Sequence, residues 1–273
     1  MAASPRPGLF VIASARRLEV LEGLAAKGIA TVELDVTNKE SIVRCREEVS
    51  KITSGRLDIL VNNAGRTHVE AATDLDMDEV RATFETNVFS VMAMCQAFVQ
   101  LLIEARGLII NIASIASIAP YAFASAYSAS KGAVIAYSRT LRLELRPFGV
   151  RVTVGMIGTV RSNIASKPRS LPADSLYLPI ADVFEQRQTF SQTNKTMETS
   201  EFARHLVAAA LRPEAPLFLR SWFGRPDWFW CGGMATVAWL GTVLGEWVVD
   251  ASCWRLFRLW KLKEIVDQKL KKA

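Results

Sequence analysis

Gly107-Leu-Ile-Ile-Asn-Ile112, then Ala113-Ser114, and 13 residues after that serine Tyr127-Ser-Ala-Ser-Lys131, is the stretch on which the reading of this chain turns. Residues 107–112 read as a short apolar strand, and residues 126–145 carry helical spacing. A strand followed directly by a helix of that length is the unit of a parallel sheet. The same alternation extends in both directions. Upstream, 9–14, 30–34 and 57–61 are strand-like, while 17–27, 41–53 and 76–102 are helical, the last as one long helix or two. Downstream, 150–156 is a strand and 201–211 a helix. Strands separated by such helices predict an α/β fold with helices on both faces of a parallel sheet.

Composition narrows the class. The 273 residues are half hydrophobic, enough for one large domain with a buried core. His68 and His205 are too far apart to suggest a metal site, so no metal is expected and both read as packing or surface residues. Cys45, Cys95, Cys231 and Cys253 show no CxxC spacing, as in a reduced intracellular protein. Leu9 to Ala15 follows Arg6 and ends Ala-Ser-Ala, like a short secretion signal, but a strand explains it better.

Two segments depart from the alternation. Residues 162–200 carry Pro, Ser, Gln and Asn with little periodicity, after a strand's C-terminal end, where open α/β sheets bind ligands. They read as a substrate-covering segment with a little helix or as a plain surface loop. Residues 222–273 form a different kind of tail. All seven Trp lie between Trp222 and Trp260, and residues 251–273 hold seven basic against two acidic side chains. The stretch from Trp228 to Gly245 carries no charge, and Gly241 and Gly245 form a GxxxG pair. From Trp254 to Leu270 basic residues alternate with apolar ones at helical spacing. Trp prefers the membrane–water interface, so the tail reads as membrane-associating, the alternative being packing against the domain or a second copy. Basic charge confined to an apolar tail argues against nucleic acid. The division expected is residues 1–221 as the catalytic domain and 222–273 as the tail.

The chemistry is concentrated in the opening stretch. Tyr127 and Lys131 are i and i+4, on one face of a helix. A free phenol titrates near ~10, and a neighbouring ammonium favours its ionised form. Such a phenol can hand a proton to a carbonyl oxygen, and the Ser114 hydroxyl can hold that oxygen. YxxxK alone is weak. Here it accompanies Asn62-Asn63-Ala-Gly65 after a strand and Asn87 in the next long helix, 27 residues before Ser114. In this ordered set the chain resembles the short-chain dehydrogenase/reductase family. The resemblance implies a Rossmann-like doubly wound sheet and an NADP-dependent oxidoreductase acting on CH–OH groups. It implies Tyr127 as proton donor, Lys131 lowering its pKa and binding the nicotinamide ribose, Ser114 orienting the carbonyl, and Asn87 holding a water that links Lys131 to solvent.

Cofactor choice is read after the family's second strand. An acidic residue there would select NAD; Ala15-Arg16-Arg17 instead suits the 2′-phosphate of NADPH, with Arg16 favoured over Arg17. The resemblance places the adenine against Asp35 and the Val36 amide. It adds Asn62, Asn63 and Gly65 to the cofactor's surroundings, and puts the nicotinamide amide against Val160 and Ser162. Ile157 stands where the family has proline, which leaves the stiffness of that loop to be found elsewhere.

The family opens with a strand, a TGxxxGxG turn and a helix. No such turn is present, and the interval from Ser14 to Asp35 has room for only one helix and one strand, so residues 9–14 correspond to the family's second strand. The expectation is a sheet lacking its central first strand and glycine-rich turn, and hence an N-terminally truncated or folding-impaired, inactive form, to which an upstream glycine-rich segment would restore NADPH binding.

Further stretches, Ala13–Glu19, Gly28–Thr37, Ser175–Ile180 and Glu201–Ala203 leading to Trp222–Gly224, are similar to the fungal NADPH-dependent 1-acyldihydroxyacetone phosphate reductases. That similarity implies a lipid-like ketone substrate and residence at lipid droplets or the cytosolic face of the endoplasmic reticulum, and it admits a homo-oligomer. The alternatives are a reductase of steroid or secondary-metabolite ketones, and a lipid-droplet protein with a vestigial reductase body.

Overall fold

A computed structural model describes residues 8–162, 164, 168–216 and 224–272. Six strands, all in parallel pairs, form its centre: β1 (Ile12–Ala15), β2 (Ala30–Glu33), β3 (Ile59–Asn62), β4 (Leu108–Ile112), β5 (Arg151–Ile157) and β6 (Trp228–Cys231). The principal helices are α1 (Lys39–Ile52), α2 (Met77–Phe84), α3 (Ser90–Ala105), α4 (Ser125–Leu145), α5 (Ala181–Thr193), α6 (Thr199–Ala210), α7 (Ala235–Leu244), α8 (Glu246–Leu256) and α9 (Leu259–Leu270).

The strands do not form one sheet. β1 pairs with β2, and β3-β4-β5-β6 make a second sheet. Among the described residues no strand pairs with β1 on its side away from β2, or with β3 on its side away from β4. Phe10, Val11 and Val61 are exposed there. The helix expected over 17–27 shrinks to a 3-10 turn at Leu18–Leu21 and one α turn at Glu22–Ala25. Its apolar residues Leu18 and Val20 stand in solvent, and a short helix without a sheet to cover has little to hold it.

Elsewhere alternation does its ordinary work. Ile109, Val152, Val154 and Met156 face one core, with α1, α3 and α4. Leu108 and Ile110 face the other way, onto Leu206 and Ala210 of α6. The helix running Met77–Ala105 is long and apolar enough to cross a membrane, yet its Val91, Met94, Phe98 and Leu102 belong to the first core. A π turn at Glu85–Phe89 joins α2 to α3.

The tail is less separate than the sequence suggests. β6 lies inside it and pairs along β5 from Val154↔Trp228 to Ile157↔Cys231, so the catalytic sheet ends at Cys231 rather than before residue 222. The uncharged stretch divides into β6, a Gly232-Gly233 turn and α7, and forms no single helix. Gly241 is where α7 crosses α8: an added methyl would lie 2.6 Å from Val249 Cγ2, and Gly245 turns the chain at φ +109. The amphipathic run 254–270 breaks at Phe257-Arg258, with Arg258 at φ 51. Trp222 lies outside the described residues.

Candidate functional site

Ser114 follows the end of β4 and caps a 3-10 turn, its Oγ accepting from the Ala116 amide at 3.2 Å. Tyr127 and Lys131 sit one turn apart near the start of α4, and the Lys131 Nζ is 6.0 Å from the Tyr127 ring centroid. The two catalytic residues expected on α4 and the one expected after β4 therefore converge. Burial pushes the Tyr127 phenol above its ordinary value; the Ser114 hydroxyl and then the positive charge of Arg187 oppose that rise. The sequence reading gives this opposing charge to Lys131. In the structure Lys131 is itself buried, its pKa pushed down to about 8 by desolvation, and its amine donates to the Ile112 carbonyl at 2.8 Å.

Asn87 sits in the π turn, a distortion common at functional sites. Its Oδ1 accepts from the Arg66 amide at 2.8 Å, and its Nδ2 donates to Arg66 O and Ser130 Oγ, both at 3.0 Å. Both donors are engaged, leaving one lone pair on Oδ1 for a water. Asn87 thus staples the NNAG turn to α4. Gly65 lies close to that contact: an added methyl would sit 3.3 Å from Asn87 Oδ1, tight enough to push it by a few tenths of an ångström, and 3.6 Å from Lys131 Nζ.

Asn62 does not face a cofactor. Its Nδ2 donates to Asn111 Oδ1 at 2.8 Å, and Asn111 donates to Ser138 Oγ at 2.9 Å, so the pair ties β3 to β4 and α4 inside the core. The strand's alternation turns Asn62 inward and leaves Asn63 exposed. At the other end of the site, Arg16 and Arg17 are exposed just after β1, and Asp35 follows β2. The Thr37 hydroxyl and amide, at 2.7 and 2.9 Å, hold the Asp35 carboxyl below its usual range, and Arg16 adds to this. Val36 packs against the first core.

The loop after β5 is rigid without proline. Thr159 exchanges backbone hydrogen bonds with Gly233, both 2.9 Å, and its hydroxyl reaches the Asn194 and Lys195 carbonyls. Val160 bridges Met197 and, among the described residues, its own amide makes no hydrogen bond, so it is free for a ligand carbonyl. The exposed Ser162 is held through its amide by Gln192 Oε1 at 3.3 Å.

Arg187, which the sequence reading passes over, faces this site. Segment 162–200 contains the whole of α5, whose buried Val183, Phe184, Arg187 and Phe190 form one stripe at spacings of one, three and three. That stripe is the available signal, a lone charge among apolar positions. Phe184 meets Phe123 edge-on at 5.3 Å, and Phe123 holds φ 59, a strained setting fixed by its carbonyl accepting from the Glu70 amide. Arg169 pairs with Glu70 at 3.2 Å and Glu79 at 2.7 Å, binding the same segment to the body. His68, buried, bridges Thr83 and Glu70, both at 2.9 Å, as a packing residue. No group of metal-ligating side chains occurs among the described residues.

The arrangement brings a phenol, a hydroxyl and a buried amine together beyond the end of β4. The chain belongs to the short-chain dehydrogenase family, whose model matches residues 6–171. It is 38% identical to the short-chain dehydrogenase fogD of Aspergillus ruber, over 98% of this chain and 91% of that protein. It is 37% identical to the NADPH-dependent 1-acyldihydroxyacetone phosphate reductase of Schizosaccharomyces pombe, over 87% of this chain and 81% of that protein. Among solved structures it resembles a short-chain dehydrogenase from Streptomyces avermitilis, with TM-score 0.71 and 29% identity over 95% of this chain and 90% of that one.

The family's dinucleotide fits at two points and not at a third. Lys131 and the Val160 amide suit the nicotinamide end, and Arg16 beside Asp35 suits a phosphorylated ribose. Between β1 and β3, where the family's glycine-rich turn would meet the pyrophosphate, no strand or glycine-rich turn lies among the described residues.

Proposed function

We propose that this chain is the catalytic body of an NADPH-dependent reductase of a lipid-like ketone, with 1-acyldihydroxyacetone phosphate the leading substrate and 1-acylglycerol 3-phosphate the product. The observation that carries the reading is the meeting of Ser114, Tyr127 and Lys131 beside the Asn87–Gly65 staple. Arg16, exposed beside Asp35, supports NADPH over NADH. When bound, the cofactor supplies hydride to the carbonyl carbon. Tyr127, whose raised pKa keeps it protonated at neutral pH, gives its phenolic proton to the carbonyl oxygen. Ser114 holds that oxygen, and the Lys131 ammonium, its pKa lowered to about 8 by burial, can return a proton to the phenolate. The activity of the S. pombe relative supports the substrate.

Membrane association is part of the same proposal. The α7–α8 hairpin exposes Val237, Trp239, Leu240, Val243, Leu244 and Trp247, a patch of the kind that meets a lipid surface. Lys261, Lys263 and Lys269 of α9 add positive charge on the same tail. The lipid droplet or the cytosolic face of the endoplasmic reticulum is the proposed site of action. One observation favours a second reading, a lipid-droplet protein without turnover: among the described residues no strand lies between β1 and β3.

NADPH titration by fluorescence, followed by turnover of acyl-dihydroxyacetone phosphate and of steroid and polyketide ketones, separates these. Tight NADPH binding with turnover of the phosphate ester supports the first reading. Binding to vesicles without NADPH binding supports the second. Turnover confined to the other ketones replaces the substrate.

A further inference from the structure

Arg187 is a buried cation without a counterion. Its residue exposure is 9%, and among the described residues no carboxylate pairs with it. Its Nε donates to the Ala122 carbonyl at 3.0 Å, which pins it to the loop between Ser114 and Tyr127. Three aromatic rings surround the guanidinium: Tyr121 at 5.3 Å, Phe257 at 5.7 Å and Phe190 at 6.0 Å. Its two terminal nitrogens have no hydrogen-bond partner among the described residues, and neither is sealed from solvent. Rings compensate part of the desolvation of a guanidinium but leave its in-plane donors unsatisfied.

We propose that Arg187 is the oxyanion receptor of the substrate site, its two free donors holding a phosphate or carboxylate carried by the ketone while Tyr127 serves the carbonyl. The planar fork matches either oxyanion in two parallel hydrogen bonds. The bond to Ala122 O places the guanidinium against the loop that runs from Ser114 to Tyr127, and its charge acts on the Tyr127 phenol. The cage also explains the tail's role. Phe257 comes from the turn between α8 and α9, so the C-terminal segment supplies one of the three rings that hold the guanidinium. This inference deepens the reductase reading and rests on it for the word substrate, but the receptor itself can be tested without turnover.

The experiment compares the wild-type chain with Arg187→Met and Arg187→Lys. Calorimetry without cofactor measures binding of lysophosphatidate, of a fatty acyl glycolate carrying a carboxylate, and of neutral monoacylglycerol. Wild type should prefer the anionic lipids. Met should weaken them about 100-fold and Lys about 10-fold, with monoacylglycerol changed less than threefold. Where turnover is measurable, kcat/KM for short-chain ketone phosphates should fall in the same order, and neutral ketones should change little. Equal binding of phosphate and neutral lipid by wild type overturns the proposal. So does equal loss on all three lipids in a Lys variant whose melting temperature is unchanged. Absence of reductase activity with these binding differences intact would remove the reductase reading and leave the receptor standing.

Discussion

Replacing Lys131 with Met turns the burial of that amine into a pH experiment. Lys131 is 4% exposed, and its pKa is pushed from 10.5 to about 8 by desolvation. Below pH 8 the folded chain must hold a charge that the unfolded chain holds in water, so the full penalty is present. As pH rises from 8 to 10.5 the folded state sheds the proton before the unfolded state does, and stability grows. The shift corresponds to about 3 kcal/mol at ~1.36 kcal/mol per unit. The variant lacks this titration. It also loses the 2.8 Å hydrogen bond to Ile112 O, a pH-independent cost of about 1 kcal/mol. Urea denaturation of both proteins at pH 7, 8, 9 and 10 should therefore show the variant comparatively favoured at pH 7 and wild type gaining about 2 kcal/mol on it by pH 10. Ionisation of the other groups largely cancels in the difference. Parallel stability curves across that range would refute the idea that desolvation dominates at Lys131.

Other expectations follow from packing. Asn111→Ala removes the main acceptor of the buried Asn62 amide and a donor to Ser138 Oγ, and should cost about 1–3 kcal/mol in urea denaturation. Gly158→Ala would drive a methyl into the Gly233 carbonyl, so it should lower stability by more than ~2 kcal/mol and loosen the β5–β6 end. Gly132→Ala, with nothing within 4 Å in the middle of α4, should raise stability by about 0.5–1 kcal/mol in thermal denaturation. Trp239→Asp with Trp247→Asp should reduce flotation with anionic vesicles at least tenfold while leaving the circular dichroism spectrum unchanged, since both rings are exposed.

What the sequence makes legible follows from how local each signal is. Strand β4 and helix α4 depend on period, which is local, and the structure forms both, with Ser114 just after β4 and Tyr127 and Lys131 one turn apart on α4. The short interval between Ser14 and Asp35 matches the separate pairing of β1 with β2 among the described residues. Side-chain direction is another matter. Asn62 turns inward because its partner Asn111 lies 49 residues away across a strand register, which no local pattern encodes. Strand β6 is only four residues, and Trp-Phe-Trp-Cys followed by two glycines looks as much like a lipid-facing segment as an edge strand. Helix α5 hides behind a low-periodicity segment because its buried stripe includes the charge of Arg187. The Arg187 charge that opposes the Tyr127 shift comes from that helix, far along the chain from the phenol.

The proton that ends on the substrate oxygen is assigned to the Tyr127 phenol, and every other role in the site is arranged around it. The direct measurement is single-turnover reduction by a Tyr127→Phe variant at saturating NADPH, with cofactor affinity determined in parallel. The rate should fall about 10²–10⁴-fold while NADPH affinity stays within a few-fold of wild type. A variant that keeps the wild-type rate with cofactor bound would contradict the assignment.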